Sequence, residues 1–334
     1  MPDFVILSNS PWNSKGRGGN SSQQYALAVM RRGWRVHYAD MYGVRSFTPL
    51  SDLAPGPGTV VMCDNPWVKY YADLFFELKA QGCSTVYRAV DNWLTTPYRG
   101  QYCEERELAY VRESDLAVAS NPLTVERFRP CRPDIDLLRN GVDLDHFWNW
   151  SGTPSAEIKR GQPTVVLVTS LWAPDWIDWP ALFYAAESCP EMVINVLANP
   201  ENFPQHAFTN INLIGIRSWQ ILPAYLRQCD VGVIPYLPDK ARYTNPLKAL
   251  EYLASGLPVV HAPNPSITDY PYMYQYDSPA DFVSQIQAAA QARLEEAALH
   301  QTLSQHTWDQ RLEILLAKLG NKVISPIAAG ESVA

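Results

Sequence analysis

Short, uninterrupted apolar runs rich in β-branched residues alternate with segments of helical period along this chain. DFVILS, WRVHYAD, TVVMC, STVYRAV, DLAVAS and IDLLRN occupy the first half; PTVVLVT, MVINVLA, NINLI, DVGVIPY, LPVVHA and the weaker YMYQY occupy the second. Continuous runs of this length suit strands buried on both faces of a parallel sheet, where alternating ones would not. The pattern predicts an α/β protein of two doubly wound, Rossmann-like units. Between them FWNWSGTPSAEIKRGQP, polar and marked by Gly and Pro, reads as a linker beginning near Trp148. The expected bounds are 1–150 for the first unit, 151–162 for the linker and 163–305 for the second. A final helix over 306–322 is expected to return to the first unit, ahead of an unpacked tail, 323–334. Ligands of open α/β sheets bind beyond the carboxyl ends of the strands, so the cleft between two facing units is the expected active site.

Composition narrows the function. The 334 residues are enough for two cores, with 47% hydrophobic and 18% charged residues. No apolar run approaches the roughly 20 residues of a membrane span, and the N-terminus carries an acid where a signal peptide is basic; a cytoplasmic protein is expected. The six cysteines form no C-x-x-C pair and the six histidines show no metal-ligand spacing, so reduced thiols and no metal are expected. A net charge of −7 argues against nucleic acid as a partner.

The most informative segment is DVGVIPYLPDKARYTNPLKALEYLASGLPVV. Asn245 has the chemistry of an N-cap, Pro246 suits the first helical position and Gly256 can end the helix. Helical spacing puts Leu247, Leu250, Leu253 and Ala254 on an inward face, and Lys248, Glu251, Tyr252 and Ser255 on a face toward the cleft. Lys248 then lies in the first turn, where a cation opposes the helix dipole by a few tenths of a kcal/mol or more. The placement makes sense if the free N–H groups and the ammonium together hold an anion such as a diphosphate; a solvated Lys248–Glu251 pair is the plainer alternative. The loop Gly16-Arg17-Gly18-Gly19-Asn20-Ser21-Ser22 gives backbone N–H groups access to a ligand, and Asn20 or Ser21 can cap the helix after it. It completes neither the dinucleotide nor the P-loop fingerprint.

YTNPLKALEYLASGLPVV resembles the donor-binding signature of bacterial family-4-type GT-B glycosyltransferases, in the branch reading N-P-L-K-x-x-E-Y-L-A. SNSPWNSKGRGGNSSQQYALAVMRRGWRVHYAD is similar to their first strand, glycine loop and helix, and VYRAVDNW, RESDLAVASNPLTVERF, LRNGVDLDHF and HTWDQR agree in order along nearly the whole chain. The resemblance implies a GT-B fold and transfer of a sugar from a UDP-, GDP- or dTDP-linked donor to a hydroxyl acceptor. A cell-surface polysaccharide or lipid-linked oligosaccharide is the implied acceptor, with transient contact at the inner membrane face for a lipid carrier. It implies that Glu251 binds the donor ribose and Lys248 the diphosphate, with Asn245, Pro246 and Leu247 at the helix start and no metal or other cofactor. The glycine loop, with Gly18, Gly19 and Asn20, would border the phosphates or the acceptor. Ser170 and Trp172 would face the donor, and Arg217 and Ser218 the base. Tyr243 stands where the family's first glutamate is expected, which leaves retention or inversion open. Group transfer to a hydroxyl with inversion needs a base; Asp91, at the carboxyl end of STVYRAV, is the candidate, similar in placement to the catalytic aspartate of xanthan-type glucuronosyltransferases. Arg88 on the same run either points toward the cleft or pairs with an acid.

Two other readings stand beside this one. The glycine loop and Asp40 at the end of the second run would suit an NAD(P)-dependent oxidoreductase. The departure at Tyr243 would suit a non-catalytic nucleotide-sugar-binding protein.

Overall fold

The computed structural model describes residues 1–8, 12, 19–40, 52–91, 93, 102–169 and 174–320. Gly18, Ser170 and Trp172 lie outside them, as does the side chain of Asp40.

The first half runs β1 (Asp3–Ser8), α1 (Ser21–Arg31), β2 (Arg35–Asp40), β3 (Val60–Cys63), α2 (Lys69–Ala80), β4 (Ser84–Ala89), α3 (Glu104–Glu113), β5 (Leu116–Ala119), α4 (Pro122–Phe128), β6 (Asp136–Leu137) and α5 (Leu144–Trp148). The second runs β7 (Thr164–Val168), α6 (Trp179–Ser188), β8 (Val193–Leu197), β9 (Ile211–Leu213), α7 (Pro223–Leu226), β10 (Val231–Ile234), α8 (Pro238–Ala241), α9 (Leu247–Ala254), β11 (Val259–His261), β12 (Met273–Gln275), α10 (Pro279–Ala290), α11 (Glu296–Ser304) and α12 (Trp308–Gly320). Each apolar run of the sequence therefore contributes one strand. The strands form two parallel six-stranded sheets, ordered β2-β1-β3-β4-β5-β6 and β12-β11-β10-β7-β8-β9.

Both faces of each sheet are covered, which is why the runs are continuous. Phe4 and Ile6 of β1 join Val60 and Met62 under α1 and α12, while Val5 and Leu7 join Val61 and Cys63 under α2 and α3. In the second sheet Val165 and Leu167 pack with α6 and α10, and Val166 with α5, α7 and α9. Val142, Leu144 and Phe147, ahead of the expected boundary at 150, pack into this second core. Conversely α12 lies on the first core through Trp308, Leu312, Leu315, Leu316 and Leu319.

The chain crosses between the units beside Gly141, where a Cβ would come within 2.8 Å of the Trp308 nitrogen. Of the run IDLLRN only Asp136 and Leu137 pair as strand, because Arg139 and Asn140 turn to the second unit. Arg139 forks onto Asp269, 2.7 Å to each oxygen.

Candidate active site

A doubly wound sheet opens a crevice where its connections reverse direction. In the second sheet that point is between β7 and β10, the central pair. Helix α9 is fixed against it by its buried face. Tyr252 is fully buried, accepts a 2.9 Å hydrogen bond from the Val168 amide at the end of β7, and packs on Gly232 of β10 so closely that a Cβ there would meet its ring at 2.4 Å. Tyr252 is thus a core residue, correcting its expected place on the cleft face; the eight-residue helix turns far enough for 252 to join 249 and 253. Leu247 also departs from expectation: it packs on the first unit's core.

The helix start differs by one residue. Pro246 is extended (ψ 119°) and Leu247 is the first helical residue, with no side-chain cap. Asn245 does not cap because its side chain is used elsewhere: Oδ1 accepts from the Asn140 amide at 2.7 Å and Nδ2 donates to the Ser266 carbonyl at 3.2 Å. Among the described residues no side chain caps the positive end of α9, and Lys248 sits in that first turn. Its ammonium donates to the Tyr236 hydroxyl and lies 4.8 Å from that ring's centre, at the mouth of β10. Three residues on, Glu251 is half-buried. Removal from water pushes its carboxyl up to about 7, against the pull of the Trp219 N–H and of Lys248.

Trp219 was not anticipated from the sequence, which singled out its neighbours Arg217 and Ser218. Its indole donates to Glu251 Oε1 at 3.1 Å and stacks on His146, ring centres 3.9 Å apart. Gly19 approaches it from the first unit; a Cβ there would lie 3.3 Å from the ring. Arg217 turns away, to Glu157 (3.1 Å) and the Tyr225 hydroxyl (2.9 Å), while Ser218 bonds Gln220 at 2.6 Å. Neither side chain reaches Glu251. Tyr243 is half-buried, with the Arg242 guanidinium 5.3 Å from its ring centre.

In the first sheet the connections reverse between β1 and β3. Asn20 caps α1 by accepting from the Gln23 amide at 3.0 Å, so its side chain is committed to the helix. The first two hydroxyls of α1 face a buried ion pair. Ser21 accepts from Arg88 at 2.9 Å, Ser22 donates to Asp64, and Arg88 and Asp64 lie 3.7 Å apart. Arg88 thus pairs with an acid. It is fully buried, lies 5.1 Å from the Tyr25 ring centre, and also donates to Asn140. Arg88 Nε and Asp64 Oδ1 have no hydrogen-bond partner among the described residues.

Asp91, two residues beyond β4, is half-buried. Loss of water pushes its carboxyl up to about 6; Arg88 lowers it and the charge of Asp64 raises it. Burial likewise raises Asp64. Asp64 was missed, although CDNPW and VDNW end neighbouring strands with the same Asp-Asn pair. Among the described residues no group of three or more His, Cys, Asp or Glu is placed to hold a metal ion, and no helix is long and apolar enough to cross a membrane.

Known proteins resemble this chain in sequence and in fold. Residues 181–317 match the family model described as glycosyl transferase-like. The chain is 24% identical over 278 residues to TuaH of Bacillus subtilis, a protein assigned to teichuronic acid biosynthesis as a glycosyltransferase, covering 74% of this chain and 68% of that one. Among solved structures, the trehalose-6-phosphate protein of E. coli bound with UDP-2-fluoro glucose superposes with a TM-score of 0.66 at 12% identity, over 96% of this chain and 99% of the other. Anabaena HepE in complex with UDP and glucose gives 0.63 at 13% identity, over 95% and 100%. The fold is GT-B. In that fold α9 and the Asp64–Arg88 pair belong to opposite units, and the segment from 242 to 245 joins them.

Proposed function

We propose that this chain is a glycosyltransferase that moves a sugar from a nucleotide diphospho-sugar to a hydroxyl of a glycan or glycolipid acceptor. The observation that carries the reading is the uncapped start of α9 with Lys248 in its first turn, at the reversal point of the second sheet. Free N–H groups and an ammonium are what a departing diphosphate needs. The glycosyl transferase-like match, the Bacillus relative and the UDP and UDP-sugar complexes of the similar structures support the same chemistry.

In this reading the bond from the anomeric carbon to the diphosphate oxygen breaks as the acceptor oxygen bonds to that carbon. Lys248 and the helix start take up the charge left on the nucleoside diphosphate. Glu251 accepts from the donor ribose, oriented by Trp219. Asp91, with its raised carboxyl, takes the acceptor proton where transfer inverts configuration. No metal is required in this reading, since Lys248 and the helix start neutralise the leaving group. The acceptor we favour is a surface polysaccharide or its lipid-linked precursor, reached at the inner membrane face, in keeping with the teichuronic acid assignment of the Bacillus protein.

Nucleoside diphosphate release from UDP-, GDP- and dTDP-sugars with glycan acceptors tests this directly. Lys248→Ala and Glu251→Ala should abolish release with melting temperature unchanged; near-normal release in both would overturn the assignment. Thermal shifts with NAD and NADP serve as the opposing arm, because stabilisation by dinucleotides alone would favour an oxidoreductase.

A further inference from the structure

The segment Arg242-Tyr243-Thr244-Asn245, which leads directly into α9, is held by the first unit as well as by its own. Asn121, just past β5, donates from Nδ2 to the carbonyls of Arg242 at 2.9 Å and Thr244 at 2.8 Å. Asn140, just past β6, gives its backbone amide to Asn245 Oδ1 at 2.7 Å and its Nδ2 to the Asn245 carbonyl at 2.6 Å. All three asparagines are buried, at 0%, 7% and 6% exposure for 121, 140 and 245. The second unit grips the same segment through Ser266 Oγ, 2.7 Å from the Thr244 carbonyl, and Asn264. Asn140 Oδ1 in turn accepts from Arg88, which lies between Asp64 and Ser21 beside the candidate base.

We propose that Asn121 and Asn140 are positioning residues for sugar transfer: together they clamp the segment before α9 and so set the diphosphate-binding helix start at the working distance from Asp91. In the transferase reading, on which this inference rests, Lys248, Glu251 and the start of α9, which hold the nucleotide, belong to the second unit. Releasing the clamp therefore leaves nucleotide binding in place and misaligns the two halves of the site. Buried amides suit the task, because releasing them leaves the Arg242 and Asn245 carbonyls without the Asn121 and Asn140 donors inside the protein, which penalises intermediate positions of the units.

Asn121→Ser is the informative variant. Asn121 Oδ1 also caps α4 through the Leu123 amide at 2.8 Å; serine keeps that cap but is too short to reach Arg242 and Thr244. The expected result, for Asn121→Ser and for Asn140→Ala, is a UDP dissociation constant within about 3-fold of wild type by calorimetry and a kcat lower by about 10- to 100-fold, as misplacement of reacting groups by about 1 Å predicts. Small-angle X-ray scattering of the nucleotide-free variants should show a larger radius of gyration. An unchanged kcat and scattering profile in both variants overturns the clamp, as does a loss of UDP affinity equal to the loss of rate. If wild type neither binds nor turns over any nucleotide sugar, the transferase reading fails instead, and the scattering comparison still decides whether the asparagines hold the units together.

Discussion

At the residue scale, Glu251 and Asp91 are two carboxylates whose surroundings favour the protonated form. Glu251 is shifted from 4.5 to about 7, so between those values the folded chain keeps a proton that the unfolded chain has released. Its contribution to stability is full below pH 4.5 and is lost as pH rises through about 7. A ribose hydroxyl that donates to the carboxylate reverses the demand. UDP should bind about tenfold more tightly at pH 8 than at pH 6 through this group; calorimetry checks it, with Glu251→Gln losing that part of the dependence. For Asp91→Asn the expected outcome is a kcat lower by about 10² to 10⁴ with UDP affinity retained. The acid limb of the wild-type rate profile should fall near 6. That Asp91 follows a strand and that Glu251 lies on α9 beside Lys248 was legible in the sequence. The contacts of Asp64 with Arg88 and of Trp219 with Glu251 were not, because each partner lies far along the chain.

At the element scale, the site depends on α9. The side bearing Lys248 and Glu251 is positioned by the opposite side, which is seated on β7 and β10 through Tyr252. Gly232→Ala would drive a Cβ into the buried Tyr252 ring, at an expected cost of about 1–3 kcal/mol. Tyr252→Phe strands the Val168 amide, costing about 1–3 kcal/mol. Urea denaturation with and without UDP measures both, and the loss should carry over to nucleotide affinity because the helix start moves with the ring. The C-terminal stop was visible beforehand: Gly256 has φ +80°, and Leu257 N–H returns to the Tyr252 carbonyl at 3.0 Å. At the N-terminus the helix begins one residue later than expected, at Leu247. Local preference favoured Asn245 as the cap, and a tertiary partner, Asn140, offered its buried side chain and carbonyl two bonds instead.

At the scale of the whole molecule, the units are interleaved by the chain itself. The segment after β6 carries Val142 and Phe147 into the second core, and α12 returns to the first. Ending the chain before Trp308 removes five buried apolar side chains from the first core. At roughly 1.5–3 kcal/mol each, that loss is comparable with the whole stability of a domain. The truncated chain should be recovered unfolded or aggregated, as circular dichroism and size-exclusion chromatography would show.

What the sequence alone determined was the strand set, the parallel two-sheet architecture and the helix bearing Lys248 and Glu251. These come from local patterning, since a strand covered on both faces must be apolar throughout and a helix must segregate its faces. Tertiary structure alone decided the roles of Asn245, Tyr252, Arg88 and Trp219. Each has a polar group whose partner lies far along the chain or across the cleft, and a buried donor or acceptor takes whichever partner the packed fold brings within about 3 Å.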